Sequence, residues 1–251
     1  MKCDAGPFAL GPVGGSGPAL LCLHGLTGTP YEVRPPAEIH AELGFACVGP
    51  LLPGHGGDWQ DLARTPREAW VECALEHFDR LASTHCRVYV SGLSLGGVLA
   101  LRLAQSRPVA GVLLLAAPIE LAPFLRLLVP VVSRVYGSVA KTPAIADPVA
   151  RERHPGLRRM PLRAVVQLMR LQSEVKSSLH TVRAPLRLLY SRQDPTVSVT
   201  NAEKIVRAST GTTAEVEYLE RSGHVITVDL ERDRVDRWLV RTLAELEKSP
   251  G

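Results

Sequence analysis

Gly92-Leu93-Ser94-Leu95-Gly96-Gly97 follows directly on the β-type run Arg87-Val88-Tyr89-Val90-Ser91, and the reading of this join decides the fold. A strand that turns at once into a helix holds the residue between them in a strained backbone, so the side chains two positions either side must be small. Gly92 and Gly96 meet that need. Such a turn lifts the Ser94 hydroxyl above the sheet edge and turns the Leu95 N–H, in the first helical turn, toward a developing oxyanion. Serine between glycines also makes ordinary turns, and the small residues Gly96, Gly97, Ala100 and Ala104 fit close helix–sheet packing equally well. The rest of the chain has to separate these readings.

Outward from this join, apolar runs bounded by turn residues alternate with amphipathic stretches, which predicts an α/β fold with a mostly parallel sheet flanked by helices. The strand candidates are Ala19–His24, Ala46–Leu51, Arg87–Ser91, Gly111–Ala116, Leu186–Ser191 and Glu215–Leu219. Thr65-Pro66-Arg67-Glu68 reads as a capping box with Thr65 as N-cap, opening a helix to about Leu81 that buries Ala69, Trp70, Cys73 and Phe78. A second helix runs from Tyr31 to Leu43, restarted by Pro35-Pro36 and closed by Gly44. The last spans Leu230 to Leu246 with a core-facing stripe of Val235, Trp238, Leu239 and Leu243. Alternation lapses over 119–183, where Leu125, Leu128, Val129, Val132 and Val135, and then Leu168, Leu171 and Val175, keep helical spacing and no strand pattern appears. We read 1–251 as a single domain and 119–183 as a small helical cap insertion within it; a helical subdomain that only packs is the alternative.

The 251 residues are 45% hydrophobic and only 5% aromatic, enough for a large aliphatic core and against disorder. The formal net charge is +4. Its local group, Arg151, Arg153, Arg158, Arg159 and Arg163, lacks aromatic interleaving and reads as a solvated face, so no nucleic-acid partner is expected. Five cysteines, Cys3, Cys22, Cys47, Cys73 and Cys86, show no metal-type spacing and read as buried free thiols in a reducing compartment. Met1–Pro7 lacks the apolar core of a signal peptide and no run is long enough for stable membrane insertion, so a cytoplasmic location is expected.

A serine hydroxyl needs an adjacent base, itself oriented by a carboxylate, and in this class of fold the order is Ser, acid, His. Of eight histidines, His224 alone follows a late sheet strand, in Arg221-Ser222-Gly223-His224-Val225, and is the candidate base. Asp194, in Arg192-Gln193-Asp194-Pro195-Thr196, is the candidate acid. An Asx turn or helix cap is its structural alternative, and Asp147 in the insertion is the competing acid. The early strand runs into His24-Gly25-Leu26-Thr27-Gly28, where glycines let a backbone N–H approach an oxyanion, and that donor is assigned to Leu26. His24, and His55 in Pro53-Gly54-His55-Gly56-Gly57, read as loop braces.

These segments, together with Ser222-Gly223-His224-Val225-Ile226-Thr227, resemble the small bacterial carboxylesterases and monoacylglycerol lipases of the α/β-hydrolase fold from about Leu20 to the C-terminus, least in the cap. The resemblance implies hydrolysis of short- to medium-chain acyl esters, monoacylglycerols among them, through Ser94, His224 and Asp194, with Leu26 and Leu95 as oxyanion donors. A small-molecule acyl ester is the implied partner, with no metal or organic cofactor. Two departures stand out: Pro195 follows Asp194 where members of this group often carry an acid, and the cap is rich in arginine and leucine. An acyltransferase, thioesterase or carbon–carbon bond hydrolase on the same fold stays open, as does a binding protein that has lost catalysis. A cap touching a lipid surface through its leucines and arginines is a further alternative.

Overall fold

Every long strand in the middle of the chain is apolar at nearly every position, so each must be covered on both faces. The computed structural model, which describes residues 4–248, shows how. Strands β1 (Phe8–Leu10), β2 (Pro18–Leu23), β3 (Ala46–Gly49), β4 (Arg87–Leu93) and β5 (Gly111–Leu115) come before an insertion that holds two short strands, β6 (Ser138–Ala140) and β7 (Arg159–Pro161); β8 (Leu186–Ser191) and β9 (Ala214–Leu219) follow it. The helices are α1 (Arg34–Glu42), α2 (Trp59–Arg64), α3 (Arg67–Ala82), α4 (Leu95–Ala104), α5 (Pro123–Val132), α6 (Pro148–Arg153), α7 (Leu162–Ser177), α8 (Thr200–Ala208) and α9 (Arg232–Lys248).

Seven strands form one sheet in the order β1-β3-β2-β4-β5-β8-β9, parallel except for β1. The alternation of side chains along a strand divides the core. Ala19, Leu21 and Leu23 of β2 join Trp70 and Phe78 of α3, Leu99 of α4 and Leu171 of α7 on one face. Leu20 and Cys22 join Ala37 of α1 and Trp238, Leu239 and Leu243 of α9 on the other. From β2 the chain steps one way to β3, then returns to lay β4, β5, β8 and β9 on the opposite side. This reversal puts the switch point of the sheet at the C-terminal ends of β2 and β4, the place where open α/β sheets bind ligands.

Several expectations need correction. Strand β1 pairs antiparallel with β3 at the sheet edge and has no counterpart among the sequence candidates. The α3 capping box does not form: the Thr65 hydroxyl donates back to the Asp61 carbonyl at 2.8 Å, ending α2, and Pro66 precedes the first turn of α3. The insertion does contain strands, because β6 and β7 pair antiparallel. Its last helix, α7, belongs to the layer over the sheet, with Leu168, Leu171 and Val175 buried as the spacing predicts. Helix α5 buries Val129 but leaves Leu128 exposed, and Val135 beyond it is exposed too. Cys22 and Cys47 are buried free thiols, whereas Cys73 is half-buried and Cys86 exposed; Cys3 lies outside the described residues. Among the described residues, no helix is long and apolar enough to cross a membrane.

Candidate active site

Ser94 occupies the turn between β4 and α4 with φ 53° and ψ −115°. A non-glycine residue there is strained, a cost of about 1–3 kcal/mol that persists only where the surroundings impose it. The surroundings do so by contact. A Cβ on Gly96 would lie 2.0 Å from the Leu23 carbonyl oxygen, and one on Gly92 would lie 2.2 Å from the Gly96 backbone. The β4–α4 join therefore closes only with glycine at both positions, and the Ser94 N–H donates to the Leu115 carbonyl at 2.9 Å.

Beyond β8 and β9, two loops bring Asp194 and His224 to the serine across 130 residues of chain. His224 Nδ1 lies 2.7 Å from Asp194 Oδ2, and its Nε2 lies 2.8 Å from Ser94 Oγ. With a carboxylate at Nδ1 the proton resides there, so the Nε2 lone pair accepts the serine hydroxyl. The Asp194 side chain is wholly buried and that of His224 nearly so. Asp194 also forms the Asx turn foreseen as its alternative role: Oδ1 accepts the N–H groups of Thr196 and Val197 at 2.7 and 3.0 Å. One oxygen fixes the loop while the other faces the imidazole. The competitor Asp147 lies elsewhere, capping α6 through the N–H groups of Val149 and Ala150.

The His224 loop is built by carboxylates that follow it in the chain. Glu231 accepts the N–H groups of Glu220, Arg221 and Ser222 and the Ser222 hydroxyl. Burial opposes its ionisation, but these donors outweigh burial and hold it below the ordinary carboxylate range. Asp229 accepts the Gly223 N–H at 2.6 Å and those of Ala146 and Asp147 from the insertion. The His224 N–H donates to the Ala144 carbonyl at 2.6 Å, a second tie to the insertion.

The β2 loop stands against the serine from the other side, with the Cβ position of Gly25 only 3.4 Å from Ser94 Cβ. His24 Nε2 accepts the Leu52 N–H at 3.1 Å, so its proton is on Nδ1 and is donated to the Gly25 carbonyl at 3.0 Å. The Gly28 N–H donates to the same carbonyl at 3.1 Å. Because that carbonyl and the Leu26 N–H belong to one peptide, both bonds orient and polarise the Leu26 N–H. Burial pushes His24 down, and burial with the neighbouring His24 pushes His55 down to about 3. Both rings are neutral braces, as their loop positions imply, and meet edge to face with centroids 4.8 Å apart. Glu32 and His154, buried beside this loop, have no sequence signal: one is an acid in a short 3₁₀ turn, the other a histidine far off in the insertion.

The family described as "Alpha/beta hydrolase family" matches residues 20–238 of the chain. A thermostable monoacylglycerol lipase of Bacillus sp. (strain H-257) is 29% identical over 248 residues, covering 96% of this chain and 93% of that protein. A carboxylesterase of Bacillus subtilis (strain 168) is 28% identical, with 93% and 95% covered. In structure, the chain superposes on a solved member of the LipS and LipT work on metagenome-derived lipolytic enzymes with a TM-score of 0.87, at 26% identity and 98% coverage of each chain.

Proposed function

From the premise that the chain belongs to the alpha/beta hydrolase family and is a hydrolase, we propose that it cleaves carboxylic esters with Ser94 as nucleophile, His224 as base and Asp194 as the orienting acid. The observation that carries this reading is the unbroken hydrogen-bonded line from Asp194 through His224 to Ser94, at 2.7 and 2.8 Å. A base within this distance of a hydroxyl, with its other nitrogen held by a buried carboxylate, is the arrangement that general-base attack requires.

His224 Nε2 takes the Ser94 proton as Oγ attacks the ester carbonyl carbon. The carbonyl oxygen becomes an oxyanion between the N–H groups of Leu26 and Leu95, each donor supporting about two to three decades of rate. Asp194 stabilises the imidazolium through Nδ1. The imidazolium then gives its proton to the departing alkoxide, leaving the acyl group on Ser94 Oγ. Water enters, and His224 removes its proton as the oxygen attacks the acyl carbon; the second tetrahedral intermediate then collapses to the acid while the imidazolium returns the proton to Ser94 Oγ.

Short- to medium-chain acyl esters, monoacylglycerols among them, are the substrates this reading favours, supported by the names of the two sequence relatives. The chain works as one domain, with 119–183 an insertion over the site; the ties from Ala144, Ala146 and Asp147 to the His224 loop support that role. Stoichiometric labelling by a serine-directed phosphonate tests the nucleophile. The native chain should label once and Ser94→Ala not at all; a folded native chain that does not label would end the proposal. A panel of acyl esters and matching thioesters then tests the reaction class, and thioester turnover far above ester turnover would reassign it.

A further inference from the structure

Glu32 takes no part in the chemistry above, yet its carboxylate lies at the base of the loop that carries Leu26. Its Oε2 accepts the Gly25 N–H at 2.9 Å, and its Oε1 accepts the Nε2–H of His154 at 2.9 Å. The His154 proton is on Nε2 because Nδ1 accepts the Gly156 N–H at 3.2 Å. Both side chains are almost completely buried, and His154 comes from the insertion, 122 residues downstream. Burial acts to raise the Glu32 carboxyl; the His154 hydrogen bond leads the interactions that overcome it and keep the group ionised. Ionised carboxylates are costly to bury unless their acceptor capacity is used. Here it is used on the peptide immediately before the Leu26 donor.

On the other side of Leu26, Thr27 holds φ at +67°, a strained value for a β-branched residue. The insertion fixes it as well. The Leu157 N–H donates to the Thr27 carbonyl at 2.8 Å, and the Lys141 ammonium donates to the Thr27 hydroxyl. A Cβ on Gly156 would lie 2.7 Å from that same carbonyl oxygen, so the insertion backbone is pressed against the loop. Leu26 is thus clamped between two residues, and partners from 141–157 hold Thr27 directly and Gly25 through Glu32.

We infer that Glu32 and His154 are positioning residues for the Leu26 oxyanion donor, so that the insertion completes an oxyanion hole whose donors stand just beyond the ends of β2 and β4. The inference rests on the assignment of Ser94 and Leu26 made above. Loosening a donor by a fraction of an ångström weakens the transition state while leaving ground-state binding nearly intact.

The test uses turnover of p-nitrophenyl butyrate and affinity for an alkyl trifluoromethyl ketone, which adds to Ser94 and places its oxygen in the oxyanion hole. Glu32→Ala should lower kcat about 10- to 100-fold with KM within about twofold, and weaken the ketone by a matching factor. Glu32→Gln should recover most of both, because its amide oxygen still accepts the Gly25 N–H. His154→Ala should lose about 3- to 10-fold in kcat. A folded Glu32→Ala with native kcat, or a kcat loss with native ketone affinity, would overturn the inference. If Glu32→Ala does not fold, His154→Ala carries the test, and native kcat there overturns it equally. Failure of the underlying site assignment has a different signature: Ser94→Ala would then keep its turnover and its ketone binding.

Discussion

The loops at the strand ends and the outer helix of the insertion are opposites. Around Ser94, Asp194 and His224 the loops are tied to one another and to distant segments by side-chain and backbone hydrogen bonds. Along α5, Phe124, Leu127, Leu128 and Val131 are 66%, 78%, 52% and 60% exposed with their apolar sides toward solvent. Helix α7, from the same insertion, shows what separates the cases. It has the same kind of apolar stripe, but it lies over α3 and α4, and Leu171 and Val175 enter the main core. Periodicity makes a helix amphipathic; only a neighbouring surface makes its stripe a core.

The sharpest test of this contrast is at the site itself. Asp194→Asn keeps the shape of the loop but favours the wrong His224 tautomer, and should lower kcat about 10⁴-fold with a melting temperature close to native. Comparable turnover in the two proteins would show that the Asp194 contact does not govern His224. Next in size is Leu171→Ala in α7, expected to cost about 2–5 kcal/mol in denaturant unfolding because it leaves a cavity under the sheet layer. Glu231→Ala should follow at about 1–3 kcal/mol, since it strands buried N–H groups of the His224 loop; it should also lower kcat, and native values of both would remove its role.

Acid tests the same loops by another route. His55 titrates at its usual value when unfolded but only near 3 when folded, so the unfolded chain binds the extra proton between those limits. Stability is then full above about pH 6.5 and falls as pH drops toward 3. Melting temperatures measured across that window should decline, and His55→Gln should flatten the decline; an unchanged slope would assign the acid sensitivity elsewhere. At the bottom of the scale, Leu127→Ser in α5 should change stability by no more than about 0.5 kcal/mol. A loss as large as that of Leu171→Ala would abolish the contrast between the two helices.

Much of this architecture is written in short stretches. The strands β2, β4, β5 and β8 are largely apolar runs between turn formers and β9 alternates apolar and polar residues; Ser94, Asp194 and His224 each follow one of these strands, so their shared parallel direction brings the three to one edge. What escaped has a physical reason. Strand β1 is three residues long and needs β3 as a template. Thr65 offered a capping box, but Pro66 and the end of α2 drew its hydroxyl to the Asp61 carbonyl instead. Glu32 and His154 meet only because the insertion folds back over the β2 loop, a contact no local pattern encodes. The exposure of α5 was hidden for the complementary reason: its stripe is indistinguishable from one that finds a partner.

The sequence separation of 130 between Ser94 and His224 also bears on how the protein comes to be made. His224 follows β9, the edge strand beside β8 among the described residues, and contacts as long-range as that from His224 to Ser94 are slow to close. A ribosome must therefore release the chain through His224 before that ring can meet Ser94, and the proposed chemistry has to wait until β9 docks. Phosphonate reactivity, followed during refolding, would time that docking directly.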